Sequence, residues 1–109
     1  MTFFEKYIEA QNNGDTEALV SLFAADGLFR DFGGRPQGQR RELYAQGTDA
    51  MRKMFTKVFA GERPVLTMIK QEKHSMEYTV KMGPLLMECV GCVELNGEGL
   101  ATEYIVRPR

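Results

Sequence analysis

The chain has 109 residues, of which 43% are hydrophobic and 27% are charged, and its formal net charge is −1. This length suits one hydrophobic core, so residues 1–109 are expected to form a single domain. The composition is that of an ordinary globular protein. A net charge near zero provides no electrostatic attraction to nucleic acid or to an anionic membrane, and neither is expected as a partner.

The first ten residues, MTFFEKYIEA, already contain the charged side chains of Glu5 and Lys6. A secretory signal peptide needs a longer apolar segment, and a membrane-spanning helix needs about 20 apolar residues. The sequence has neither pattern, and the expected location is therefore the cytoplasm.

The N-terminal segment has the pattern of an amphipathic helix. Thr2 and Glu5 have the spacing of a capping box, in which each side chain accepts a hydrogen bond from the backbone of the other. Asn13 and Gly14 mark the end of this helix, because glycine readily adopts the left-handed C′ conformation. Its buried face is predicted to consist of Phe3, Phe4, Tyr7, Ile8 and Gln11.

A second helix is predicted to follow Asp15 as its N-cap and to end at residues 24–27. Its apolar face would consist of Ala18, Leu19, Leu22 and Phe23. Residues 28–31 form a short predicted strand. The glycine-rich segment 32–48 is predicted to be a loop, with at most a helical turn at residues 41–44. A loop this long in a small domain is often a lid or a binding loop.

A third helix is predicted after Thr48 or Asp49 as its cap, and Gly61 and Pro64 end it. Its apolar side would contain Met51, Met54, Phe55, Val58 and Phe59. Four strands are then predicted, at residues 65–70, 75–82, 85–95 and 100–107. Residues 95–99 give a strong signal for a hairpin between the last two strands.

This order of elements predicts an α+β fold, in which N-terminal helices pack into a curved antiparallel sheet. The residues between the helices and the sheet would then line a cone-shaped pocket, which is a natural site for a small molecule.

Cys89 and Cys92 form a CxxC sequence, which occurs in redox pairs and in zinc sites. Here they lie in a strand pattern, where residues three apart point to opposite faces. A zinc site would need two more ligands, and the only histidine is His74, which is expected to be solvated. Two packing thiols are the favoured interpretation, and no metal or other cofactor is expected.

The stretch KYIEAQNNGDTEALVSLFAADGLFRDFGG, from Lys6 to Gly34, resembles the opening of ketosteroid isomerases and of SnoaL-type polyketide cyclases. These are enzymes of the nuclear transport factor 2-like superfamily. A weaker similarity lies at Gly47–Met51. The resemblance implies the cone fold, whereas the back half of the chain matches as strands but not as specific residues.

On this resemblance, Asp31 takes the position of the isomerase's catalytic base and Tyr7 that of its oxyanion-hole tyrosine. The second acid of the isomerase falls on Gly91 here, and a supporting tyrosine falls on Phe55, so half of that oxyanion hole is absent. Glu103 is the best substitute acid, although the apolar pattern of its strand indicates that it points outward.

Each of the two candidate catalytic residues has a structural alternative. Tyr7 could be a core tyrosine of an amphipathic helix, and Asp31 could cap the turn at Gly33 and Gly34. The residues expected to line the pocket as substrate contacts are Phe55, Met87, Cys89, Phe23 and Phe59.

The leading hypothesis is a cofactor-free isomerase, cyclase or dehydratase that abstracts a proton next to a carbonyl of an apolar ligand. The alternative is a non-catalytic ligand-binding or dimerisation module of the same fold. An epoxide hydrolase ranks lower, since no set of two carboxylates and an arginine occurs at comparable positions. A homodimer is expected through the outer sheet face at Leu86, Val90 and Cys92.

Overall fold

The computed structural model describes residues 1–36 and 42–109. In chain order the elements are α1 (Phe3–Asn13), α2 (Thr16–Val20), β1 (Phe23–Asp31), β2 (Leu43–Gln46), α3 (Thr48–Ala60), β3 (Val65–Gln71), β4 (Ser75–Met82), β5 (Leu85–Leu95) and β6 (Ala101–Pro108). The predicted α+β class is confirmed.

The six strands form one sheet in the order β2-β1-β6-β5-β4-β3. All neighbouring strands are antiparallel except β1 and β6, which run parallel. The sheet is therefore mixed rather than purely antiparallel. Along β4, Met76, Tyr78 and Val80 are buried while the residues between them are partly exposed, which is the period of two expected for a sheet with one covered face.

The caps of α1 are those predicted from the sequence. The Thr2 side chain accepts a hydrogen bond from the Glu5 backbone N–H at 3.1 Å, and the Thr2 backbone N–H donates to the Glu5 carboxylate at 2.8 Å. Gly14 ends the helix in the left-handed conformation, with φ of 62°. Tyr7 and Gln11 are consequently buried on the inner side of this helix.

The second helix is shorter than predicted. It ends at Val20, and Phe23 begins β1 instead of belonging to the helix. Phe23 pairs with Ala101 of β6, and the Ala101 backbone N–H donates to the Leu22 carbonyl at 2.9 Å. Pairing with a distant strand thus overrides the helical spacing of the apolar residues.

The segment predicted as a loop contains a strand. Residues 43–46 form β2, which pairs antiparallel with β1 from Leu28 to Asp31, so the helical turn predicted at residues 41–44 is wrong where the structure describes it. Residues 37–41, the middle of the predicted lid, lie outside the described residues. Gly47 occupies the N-cap position of α3 and no side chain caps that helix, so neither Thr48 nor Asp49 is a cap.

Within the described ranges, 1–36 and 42–109, no helix is long and apolar enough to cross a membrane.

Candidate functional site

A cavity of about 270 Å³ opens between the helices and the inner face of the sheet. Its polar lining consists of Tyr7, Gln11, Asp31, Glu62 and Tyr78. Its apolar lining consists of Phe29, Leu43, Phe55, Val58, Pro64, Leu66, Val80 and Met82. Both Asp31 and Tyr7, the residues singled out in the sequence, thus line one cavity.

Asp31 is the last residue of β1 and only 5% of it is exposed. Its Oδ1 atom accepts a hydrogen bond from the Gly33 backbone N–H at 2.7 Å. This is the turn-capping bond that the structural alternative predicted, and it coexists with a position in the cavity lining. The bond fixes the orientation of the carboxylate relative to the cavity.

Tyr7 lies on α1 one turn before Gln11, whose Nε2 atom donates a hydrogen bond to the Tyr7 hydroxyl at 2.9 Å. Side chains four apart on a helix are neighbours, which explains why the two meet. In this bond the Tyr7 oxygen is the acceptor, so the bond does not use the hydroxyl proton. Gln11 could have been found in the sequence as the one polar residue on an otherwise apolar helix face.

Two further tyrosines, Tyr78 of β4 and Tyr104 of β6, are fully buried in the same region and were not identified from the sequence as site residues. Burial, reinforced by the neighbouring Tyr7 and Asp31, raises the pKa of both hydroxyls well above the ordinary value of 10.0. Both side chains are therefore neutral hydroxyls at physiological pH. Tyr78 lines the cavity, whereas Tyr104 lies behind the lining.

At Gly91, the position that corresponds to the second acid of the isomerase, the space is occupied by the side chain of Tyr104 from β6. Gly91 is buried on the inner face of β5, and a side-chain carbon built there would overlap the Tyr104 hydroxyl. Because Gly91 has no side chain, the Tyr104 ring can extend from β6 over the inner face of β5. An acidic side chain at position 91 would not fit with Tyr104 in its present position.

Phe55 of α3 lines the cavity, where it stands edge-on to Phe29 with ring centroids 4.9 Å apart. Phe59 stacks on Phe55 at 5.9 Å, and Phe23 contacts Phe29 at 6.3 Å. Phe59 and Phe23 are not among the residues that line the cavity. They support the rings that do, because each packs against one of them.

Met87 and Cys89 are buried in β5 and are also not among the lining residues. Gly34 lies against them, so that a side-chain carbon built on it would be 2.6 Å from the Cys89 sulfur and 2.9 Å from Met87 Cβ. Backbone hydrogen bonds between Arg35 and Glu88, both 2.9 Å long, hold this segment across β5. The segment after β1 thus covers the surface that the two residues were expected to offer to a ligand.

Cys89 and Cys92 are both thiols, and they lie on opposite faces of β5, Cys89 buried and Cys92 half-buried. Glu103 is half-buried on the outer face of β6, next to the buried Tyr104, and does not line the cavity. In the described part of the chain, no group of three or more His, Cys, Asp or Glu side chains could hold a metal ion.

The charged residues among the described lining of the cavity are Asp31 and Glu62, both acidic. Glu62 follows α3 and is exposed, so it lies where the cavity meets solvent. Asp31 by contrast is buried, and its charge is screened less by water. Glu62 was not recognised from the sequence, where it stands in the polar connection between α3 and β3.

A family profile described as SnoaL-like domain matches residues 4–84 of this chain. No curated protein sequence matches it significantly.

Solved structures show the same fold at low sequence identity. A cystatin-fold protein from Novosphingobium aromaticivorans has a TM-score of 0.79 at 15% identity, with 98% of each chain covered. A protein with a ketosteroid isomerase-like fold from Catenulispora acidiphila, solved in complex with trimethylamine, has a TM-score of 0.76 at 18% identity, covering 98% of this chain and 86% of that one. A candidate ketosteroid isomerase from Kribbella flavida has a TM-score of 0.71 at 17% identity, covering 95% and 73%.

Proposed function

Since this chain belongs to the SnoaL-like domain family, we propose that its cavity binds a compact apolar carbonyl compound and abstracts a proton from the carbon next to the carbonyl. The observation that supports this proposal is the presence of a buried carboxylate, Asp31, and a tyrosine hydroxyl, Tyr7, in the lining of one largely apolar cavity. The volume of about 270 Å³ is just below the usual range for ligand pockets, roughly 300 to 1,000 Å³, and favours a small ligand.

In this mechanism Asp31 is the general base. Its carboxylate takes the proton of the substrate C–H bond, and the electron pair of that bond moves into the enolate, whose oxygen accepts a hydrogen bond from the Tyr7 hydroxyl. Return of the proton to another carbon gives isomerisation. Expulsion of a β-hydroxyl, which leaves as water after Asp31 returns the proton to it, gives dehydration. Attack of the enolate carbon on a second carbonyl, whose oxygen then takes the proton from Asp31, gives cyclisation.

The test begins with a melting screen of small enones, diketones and hydroxyketones, because a bound ligand raises stability by mass action. Turnover of each hit is then compared between the wild type and Asp31→Asn, whose amide oxygen can still accept the Gly33 hydrogen bond. Loss of the general base is expected to lower turnover by about 10²–10⁴-fold. Asp26→Asn, an exposed residue on the same strand, is the matched control and is expected to retain full turnover. Equal turnover in Asp31→Asn and the wild type would remove Asp31 from the mechanism.

A non-catalytic binding pocket is the second candidate, and the charge of the cavity favours a small amine as its ligand. The charged groups in the described lining are both carboxylates, and aromatic side chains of Tyr7, Phe29, Phe55 and Tyr78 surround the space. An ammonium ion can be attracted both by a carboxylate and by aromatic faces. The related fold solved with trimethylamine supports this candidate.

Titration with trimethylammonium and with tert-butanol, a neutral molecule of similar shape, separates the two candidates. Amine binding predicts a melting shift with the cation, none with the alcohol, and loss of the shift in Asp31→Asn. A shift with neither molecule, together with turnover of a carbonyl compound, would favour the enzyme.

We further propose that two copies associate through the outer face of the sheet. Leu86 is 55% exposed on that face, beside the half-buried Val90 and Cys92. Exposed apolar patches commonly mark protein interfaces. Sedimentation analysis should give a dimer for the wild type and a monomer for Leu86→Lys; a monomeric wild type would contradict the proposal.

A further inference from the structure

The Tyr104 hydroxyl is fully buried, and among residues 1–36 and 42–109 it has no hydrogen-bond partner. Leaving a buried hydroxyl without a partner is costly, and such groups are uncommon in folded proteins. A phenylalanine at this position would fill the same space without that cost. The hydroxyl therefore calls for an explanation other than packing.

The register of the sheet shows where this hydroxyl lies. Tyr104 of β6 is paired with Val93 of β5, and Tyr78 of β4 is paired with Cys89 of β5. Gly91 lies between these two β5 positions on the same inner face, and the Tyr104 hydroxyl lies directly over it. The absence of a side chain at Gly91 thus opens a path on the inner face from Tyr104 towards Tyr78.

The two hydroxyls influence each other in the free protein. Burial raises the pKa of Tyr104, and the nearby Tyr78 hydroxyl partly offsets this effect, although the two do not reach full hydrogen-bond geometry. Tyr78 lines the cavity together with Tyr7, and Tyr104 lies against Tyr7 with ring centroids 4.5 Å apart. Tyr78, which lines the cavity, therefore has the hydroxyl of Tyr104, which does not line it, as a neighbour.

We propose that Tyr78 is a second hydrogen-bond donor to the ligand oxygen, and that Tyr104 is the positioning residue that directs the Tyr78 proton into the cavity. When a carbonyl oxygen binds, Tyr78 donates to it and the Tyr78 oxygen accepts a hydrogen bond from Tyr104. The ligand complex thereby satisfies a hydroxyl that lacks a partner in the free protein. This inference rests on the proposed function, because it takes the ligand to carry an oxygen acceptor.

The test uses 2-cyclohexenone as a small neutral carbonyl probe, in the Asp31→Asn background so that the probe is bound but not converted. Dissociation constants and the bound carbonyl stretching frequency are measured for the parent, Tyr78→Phe, Tyr104→Phe and the double variant. One lost neutral hydrogen bond corresponds to about a three- to tenfold weaker affinity, and we expect this for each single variant. The double variant should be no weaker than Tyr78→Phe, because Tyr104 acts through Tyr78.

A purely structural role for the Tyr104 hydroxyl predicts that Tyr104→Phe melts at a lower temperature than the parent. The positioning role predicts otherwise: Tyr104→Phe keeps the ring and removes the unpartnered hydroxyl, so its melting temperature should equal or exceed that of the parent while its affinity for the probe falls. Tyr44→Phe, at a tyrosine that is 57% exposed, is the matched control and should change neither quantity.

The inference is overturned if the parent does not bind the probe, if Tyr104→Phe binds it as tightly as the parent with an unchanged stretching frequency, or if the two single effects add. These outcomes do not depend on turnover. The role of Asp31 in the proposed reaction is decided separately by the comparison of Asp31→Asn with the wild type.

Discussion

The front of the chain, from α1 to Gly34, and the strand-rich back, from β3 to β6, supply the site in different ways. In the front, Tyr7 is oriented by Gln11 one helical turn away, and Asp31 by the backbone of Gly33 two residues on. In the back, Tyr78 and Tyr104 are placed by strand register and by packing across β5, and the Tyr104 hydroxyl has no hydrogen-bond partner among the described residues.

The two kinds of residue differ in how readily the sequence reveals them. A residue held by its own helix or turn leaves a short-range pattern in the sequence. A residue held by cross-strand packing depends on a register that a shift of one residue would invert.

The largest effect on stability is expected at Gly34, where the front of the chain packs against the back. A Cβ atom there would be 2.6 Å from the Cys89 sulfur, 2.7 Å from the Glu88 carbonyl oxygen and 2.9 Å from Met87 Cβ. The Glu88 carbonyl oxygen is a backbone atom and Met87 Cβ is bonded directly to the backbone, so neither can move aside easily. Gly34→Ala should lower the free energy of unfolding by about 3 kcal/mol, the upper range for overpacking.

Urea denaturation followed by circular dichroism measures this change, since the chain contains no tryptophan for fluorescence. Gly97→Ala is the matched control, because nothing lies within 4 Å of a Cβ atom at that position. Equal stability of the two variants would show that the segment after β1 does not lie tightly on β5.

A second large effect should appear at alkaline pH. Burial raises the pKa of Tyr78 and Tyr104 in the folded state well above 10.0, while in the unfolded chain both should titrate near ~10. The raised folded pKa contributes stability that is fully present below about pH 10 and is lost as the pH rises further. With two such groups, stability should fall by about 2.7 kcal/mol per pH unit above that point.

Urea midpoints measured across this pH range test the prediction. Replacing both residues by phenylalanine should flatten the alkaline loss, whereas Tyr44→Phe, which removes an exposed hydroxyl, should leave the slope unchanged. An unaltered slope in the double variant would assign the loss to other groups.

The packing of Tyr104 over Gly91 provides a third test of the back of the chain. Gly91→Ala should cost about 2 kcal/mol, because the added methyl group overlaps the Tyr104 hydroxyl. The cost should be smaller in a Tyr104→Leu background, where the ring and hydroxyl are absent. A double-mutant cycle on unfolding free energies measures this coupling, and equal costs in the two backgrounds would contradict the contact.

The sequence predicts the locally determined parts of the fold and site better than the parts that depend on cross-strand packing. The bounds of β4 and β5 and both caps of α1 were predicted correctly, because alternation, turn residues and capping residues are local signals. The helical assignment of Phe23 was wrong, since parallel pairing with β6 decides its conformation. Tyr78 lies within a strand whose bounds were predicted, but its place in the cavity lining depends on how the helices close over the sheet.

The smallest of these effects concerns the front of the chain, where the sequence was most informative. Thr2 caps α1 with its side chain, whereas Thr48, also a predicted cap, is the first residue inside α3 and makes no capping hydrogen bond. Thr2→Ala should therefore cost about 1 kcal/mol, and Thr48→Ala less than about 0.5 kcal/mol. The Thr2 hydroxyl also donates to Gln71 Oε1 at 2.8 Å, so its loss should loosen the contact between α1 and β3. Urea denaturation of the two variants gives the comparison, and a larger cost at Thr48 would show that local capping does not hold the front of the chain in place.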